Sequence, residues 1–80
     1  MSNIRKLTVP DLGEDVHSVQ ITEWFCDPGD RVSEDEDIVE ISSDKAVFSI
    51  STPYAGILEK QCCKNGDEVA PGEVIARIQV

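Results

Sequence analysis

The sequence repeats itself. Cys26, Gly29, Asp30, Val32, Glu36, Ile38 and Ile41 recur 37 positions further on as Cys63, Gly66, Asp67, Val69, Glu73, Ile75 and Ile78. Upstream of each block stands a Pro-x-x-Gly step, Pro10 to Gly13 and Pro53 to Gly56, at a spacing of 43, and the β-type stretches before these steps correspond at the same spacing. The two spacings differ by six residues, so the first copy carries an insertion over roughly residues 14–19. A repeat unit too small to bury its apolar face alone dictates how its neighbours pack. Each copy reads strand, Pro-x-x-Gly, strand, Gly-Asp-x-Val, strand. Two such copies are expected to pack as halves of one flattened barrel related by a quasi-twofold axis.

Hydrophobic patterning supports strands and no long helix. The expected strands are residues 4–9, 19–25, 38–42, 47–51, 56–62 and 74–78, with one-residue bridges at Val32 and Val69 and turns at Pro28-Gly29-Asp30, Asn65-Gly66-Asp67 and Pro71-Gly72. The class is all-β, one domain over residues 1–80. Only residues 42–46 separate the copies, which is room for a hairpin and nothing more. Asp44 is expected to accept a backbone N–H in a type I turn there. The twofold equivalent of this hairpin pairs residues 75–79 with 5–9, so both chain ends belong at the opposite pole. Strand 47–51 leaves the hairpin pole, so strand 4–9 arrives there and brings the inserted loop beside Lys45.

Composition narrows the function. With 7 Lys and Arg against 16 Asp and Glu the net charge is −9, which repels a phosphate backbone or an anionic membrane, and the sequence shows no cluster of Lys and Arg to offset it. Acidity suits docking onto basic partners. No apolar run approaches the ~20 residues of a membrane span, and the first residues lack the apolar stretch of a secretory signal, so the expected compartment is the cytoplasm, or the mitochondrial matrix in a eukaryote. A chain of 80 residues has little room for a deep catalytic cleft. Three cysteines form no metal-ligand spacing and are expected to be reduced and partly buried, with Cys62 and Cys63 on opposite faces. No metal site is expected. The acidic run 34–37 lacks the alternating ligands and interior glycine of a calcium loop and reads as a solvated turn. His17 reads as a solvated loop residue, and Trp24 as a cover for one barrel end with its indole N–H in reach of water.

Lys45 remains. A lysine at a hairpin tip is most often a solubilising residue, but this tip joins two symmetric halves, the symmetry-breaking loop lies beside it, and nothing else in the chain offers chemistry. An ε-ammonium is a poor nucleophile at neutral pH, whereas an amide formed there would remove the charge and hang an acyl group in water. Ser43-Asp44-Lys45-Ala46, with Pro10-Asp11-Leu12-Gly13-Glu14, Pro28-Gly29-Asp30-x-Val32, Pro53-x-x-Gly56 and Asn65-Gly66-Asp67-x-Val69, resembles the lipoyl domain of 2-oxo acid dehydrogenase acyltransferases. The resemblance implies a flattened β-barrel, a barrel-sandwich hybrid of two four-stranded antiparallel sheets. It implies that Lys45 carries lipoic acid in amide linkage, as a swinging arm that shuttles acyl groups and reducing equivalents within such a complex, of the pyruvate or branched-chain type. The partners implied are a lipoate ligase or lipoyl transferase, a thiamine diphosphate-dependent 2-oxo acid decarboxylase, an acyltransferase core and a dihydrolipoyl dehydrogenase. Asp44 and Ala46 would mark the modification site, and Gly13, Glu14 and Asp15 would help the decarboxylase recognise its carrier. The domain itself would catalyse nothing, would be a monomer in isolation, and is expected to be either a domain excised from a longer acyltransferase or a free-standing carrier.

Three rival readings stand beside this one. A biotinyl carrier shares the fold, but that family flanks its lysine with methionines, and the sole methionine here is Met1. The lipoylated carrier of glycine cleavage is longer, with helical additions. An unmodified barrel acting as a structural or docking module would need no acceptor at the tip.

Overall fold

The computed structural model describes residues 3–13 and 16–80. Its strands are β1 Ile4–Thr8, β2 Val19–Trp24, β3 Arg31–Val32, β4 Asp37–Ser42, β5 Val47–Ser51, β6 Gly56–Gln61, β7 Glu68–Val69 and β8 Val74–Gln79. They form two four-stranded sheets, ordered β1-β8-β6-β3 and β5-β4-β2-β7, and every strand pair is antiparallel. Adding or subtracting four from each strand number converts one sheet into the other, so the quasi-twofold read from the repeat is the symmetry of the fold. The sheets do not close on each other through paired strands. They face across one core as a flattened barrel-sandwich, in which the repeated Ile38, Ile41, Ile75 and Ile78 are fully buried.

The other repeated residues build the turns. Asp30 and Asp67 each accept the backbone N–H three residues back, from Asp27 and Lys64, at 2.9 Å. Glu36 and Glu73 do the same for Ser33 and Ala70, at 3.1 and 2.9 Å. Gly29 and Gly66 sit at φ 96° and 91°, a region closed to most side chains, and each donates its N–H across the copy boundary, to the carbonyls of Leu58 and Ile21. Trp24 Nε1 donates to the Cys63 carbonyl at 3.1 Å, while its mate Gln61 donates through Nε2 to the Cys26 carbonyl at 2.7 Å. The indole N–H is therefore spent on stitching the halves together and not left for water, as the sequence had suggested.

Most strand limits match expectation to within a residue. Val9 falls outside β1 because it pairs with a turn: its N–H donates to the Glu73 carbonyl and its carbonyl accepts from Gly72. The Val80 N–H donates to the Asn3 carbonyl at 2.9 Å, which holds the chain ends together. Gly56 is needed for space and not for its backbone angle, since a Cβ there would run into the Gln79 carbonyl and stand 3.2 Å from Ile78 Cγ2. Gly56→Ala is expected to cost about 1–3 kcal/mol by overpacking, measurable as a lowered urea midpoint.

The charge pattern corrects one expectation. Pairing sets Lys6 opposite Arg77 and Arg77 opposite Lys60, so three cations that are scattered in the sequence share one row on the outer face of a sheet. Like charges directly opposite each other are unfavourable. Glu59 relieves the middle one: its Oε1 lies 3.4 Å from Arg77 Nε, near enough for ionic attraction but not aligned for a hydrogen bond. The twofold mates of Arg77 and Lys60 are Glu40 and Glu23, paired in the other sheet, so the two faces carry opposite charge on one backbone plan.

The cysteines are free thiols, with Cys26 and Cys63 buried and Cys62 exposed. Burial, then the hydrogen bond to Glu36 and the nearby charges of Glu36, Asp30 and Asp27, push the Cys26 thiol up to about 11 from an ordinary 9.0. Burial, with Glu73 and Asp67 close by, raises its mate Cys63 as well. Folding holds these thiols neutral, so the stability they contribute is complete below the ordinary thiol value and, for Cys26, is lost as pH climbs from 9.0 towards about 11. Iodoacetamide at pH 8 is expected to label Cys62 first, with Cys26 and Cys63 at least ~10-fold slower, read by peptide mass.

Candidate functional site

The β4–β5 hairpin ends at the Ser42–Val47 pair, and residues 43–46 make the turn. The Ser43 N–H donates to the Ala46 carbonyl at 2.8 Å. The Ser43 hydroxyl oxygen accepts longer bonds from the N–H groups of Lys45 and Ala46, at 3.4 and 3.3 Å. No turn residue has a positive φ, as a type I turn requires. Serine, not Asp44, supplies the accepting side chain. A short hydroxyl beside the turn competes well for backbone N–H groups, which is the known use of serine in such positions.

This leaves Asp44, Lys45 and Ala46 exposed at the tip. Among the described residues the Lys45 ammonium has no ion pair and no hydrogen bond. Between the hairpin and the inserted loop runs an open groove of about 320 Å³, lined by residues 16–18 and 43–46 and by Phe48. Loop and lysine therefore share one pole, as the repeat argument required, and the paired chain ends lie at the other.

The expected recognition residues divide. Asp44 and Ala46 line the groove with Lys45. Gly13 does not: it is exposed at φ 114°, its N–H bonded to Asp11 Oδ1 at 3.0 Å and its carbonyl accepting from the Val16 N–H at 3.2 Å, so it shapes the loop. Glu14 and Asp15 lie outside the described residues. Sequence reasoning missed Ser43, Val16 and Phe48. The signal was available for Phe48, since the residue at its equivalent position in the first copy is Arg5. His17 is exposed on the groove wall.

A two-sheet β-domain that offers an exposed lysine from the turn between symmetric halves has the form of a carrier domain. The chain belongs to the biotin/lipoyl family described as biotin-requiring enzyme, whose profile matches residues 5–78, and the relatives that follow make it a domain of the lipoyl type. It is 36% identical over 70 residues to the dihydrolipoyllysine-residue acetyltransferase component of the pyruvate dehydrogenase complex from Staphylococcus aureus (strain Mu50 / ATCC 700699), a match covering 88% of this chain and 16% of that protein. The chain thus spans about one-sixth of the length of such relatives. The solution structure of the lipoyl domain of the 2-oxoglutarate dehydrogenase complex from Azotobacter vinelandii superposes with a TM-score of 0.74 at 27% identity, covering 91% of this chain and 92% of that one. Kluyveromyces lactis urea carboxylase contains a similar fold, with a TM-score of 0.81 at 21% identity over 95% of this chain and 6% of that one. At that identity the likeness concerns the fold alone.

Proposed function

We propose that this domain carries a lipoyl group in amide linkage on Lys45 and presents it in turn to the enzymes of a 2-oxo acid dehydrogenase complex, of the pyruvate or branched-chain type. The observation that carries the proposal is the Lys45 amine, exposed at a braced tip, without a partner among the described residues and flanked by Asp44 and Ala46. A primary amine held this way fits a group attached through its carboxyl carbon. Conversion to the amide removes one positive charge, and no described ion pair is lost. When bound, lipoic acid supplies a ring disulfide that can accept two electrons and an acyl group.

The protein's own part is positional. Paired strands β4 and β5 and the Ser43 hydrogen bonds hold the tip, so the amine stands clear of the barrel where a ligase or a lipoyl transferase can reach it. Asp44 and Ala46 are the side chains such an enzyme meets beside it. Residues 16–18 of the inserted loop offer a second surface at the same pole, and Gly13, Glu14 and Asp15 are assigned to recognition of the carrier by a thiamine diphosphate-dependent decarboxylase. The acyltransferase core and a dihydrolipoyl dehydrogenase complete the set. Tethering to such a core raises the effective concentration of the arm at each active site without any new contact. On this reading the domain works in the cytoplasm, or in the mitochondrial matrix if the source is eukaryotic.

The test is coexpression with either lipoate ligase and lipoate or biotin ligase and biotin, followed by reductive acylation assays in which decarboxylases are offered pyruvate, 2-oxoglutarate or branched-chain 2-oxo acids. Loading by lipoate ligase, with acylation by the pyruvate or branched-chain enzyme, is expected. Loading by biotin ligase alone would reassign the domain, and no loading by either would make it a structural module.

A further inference from the structure

The groove at the tip owes its apolar lining to the places where the two copies differ. Val16 belongs to the six-residue insertion and has no counterpart in the second copy. Phe48 corresponds to Arg5, which in the other half turns aside to stand 6.0 Å from the centre of the Tyr54 ring. Val16 and Phe48 both pack partly against the core and keep an apolar remainder turned to the groove. The depression at the opposite pole, between residues 31–33 and 55–57, has no lysine in its wall. That depression is apolar too, with Ile57 and Val80 in its wall; what sets the tip groove apart is that its apolar side chains stand beside a lysine, itself one of the groove's walls.

Resting on the reading of Lys45 as the acyl acceptor, we propose that the groove is a berth for the carried chain, which folds back against Val16 and Phe48 whenever no partner holds it. The ligand class is a medium-length apolar acyl amide. A chain attached to Lys45 is tethered to one of the groove's own walls, so docking costs it no translational freedom, and even weak apolar contact can populate the berthed state. The amide carries no charge, so nothing ionic has to be buried with it. In this state the inserted loop and the arm form one surface, so a partner that draws out the arm must also engage residues 16–18.

The test is NMR on the lipoylated domain, after intact mass and peptide mapping have shown the group on Lys45. Expected are shift changes that extend from residues 44–46 to Val16, His17, Ser18 and Phe48, with NOEs from the acyl chain to the Val16 methyls and the Phe48 ring. An octanoylated sample, which lacks the ring, should give the same contacts along the chain. Phe48→Arg places at this position the residue its mate already carries, so the fold should tolerate it, and the NOEs to Val16 should be lost. Should that variant fail to fold, Val16→Ser, a change in the loop, should likewise remove the chain's NOEs to the Phe48 ring. A loaded domain whose shift changes stop at residues 44–46 and that shows no such NOEs overturns the berth and leaves the carrier reading intact. No loading at Lys45 overturns both.

Discussion

Lys45→Arg is expected to take up no lipoyl group at all, a complete loss read as an intact mass unchanged after coexpression with the ligase. The substitution keeps a long, exposed cation on the same turn. It disturbs none of the described hydrogen bonds, because the Lys45 side chain makes none and its backbone N–H still reaches Ser43. Stability should therefore stay within about 0.5 kcal/mol of the parent, as for other surface changes, so the loss is chemical and not a consequence of unfolding. Moving the amine by one position, with Lys45→Ala and Ala46→Lys together, keeps a lysine in the turn but roots it at the residue whose carbonyl and N–H both bond back to Ser43. Loading should fall at least ~10-fold, a change worth about 1.4 kcal/mol in the ligase's transition-state binding. Undiminished loading of the shifted lysine would show that the enzyme reads a sequence, not a braced tip.

The second large effect is on the fold. Ile75 is fully buried in β8 and is the twofold mate of Ile38, which is equally buried in β4. Truncating either to alanine should cost about 2–5 kcal/mol, from lost burial and the cavity left behind. A core of this size supplies only ~3–5 kcal/mol in total, so Ile75→Ala should leave the domain largely unfolded at room temperature or lower its urea midpoint by roughly 1–2 M. The symmetry makes a sharper demand. Ile38→Ala should cost the same to within about 1 kcal/mol, because both positions belong to one core contributed equally by the two copies. A large difference between the two variants, measured by urea denaturation, would mean that the halves do not share the work of folding.

The fold was legible because it was written twice. The seven residues repeated at a spacing of 37 prove to be the residues with a turn or core duty: two carboxylates that accept backbone N–H groups, a glycine at positive φ, and a cysteine, a valine and two isoleucines buried in the core. Chemistry that both halves require survives in both halves. The site was harder to read because it lies where the copies differ. Lys45 could be found by exclusion and by resemblance, but Ser43 could not, since its hydroxyl matters only once the chain has turned back on itself. Val16 sits in a stretch with no periodicity, and Phe48 looked like any strand residue until set beside Arg5. The cationic row of Lys6, Arg77 and Lys60 was hidden for a related reason: register brings these residues together from three strands.

The central claim is that this fold selects one amine out of four lysines. Lys6, Lys60 and Lys64 are exposed as well, so being exposed cannot by itself choose among them. Peptide-resolved mass spectrometry of the folded domain after treatment with lipoate ligase and lipoate tests this directly. A single lipoyl group is expected, on Lys45, with the other three lysines untouched. A group on any other lysine, or none on Lys45, would contradict it.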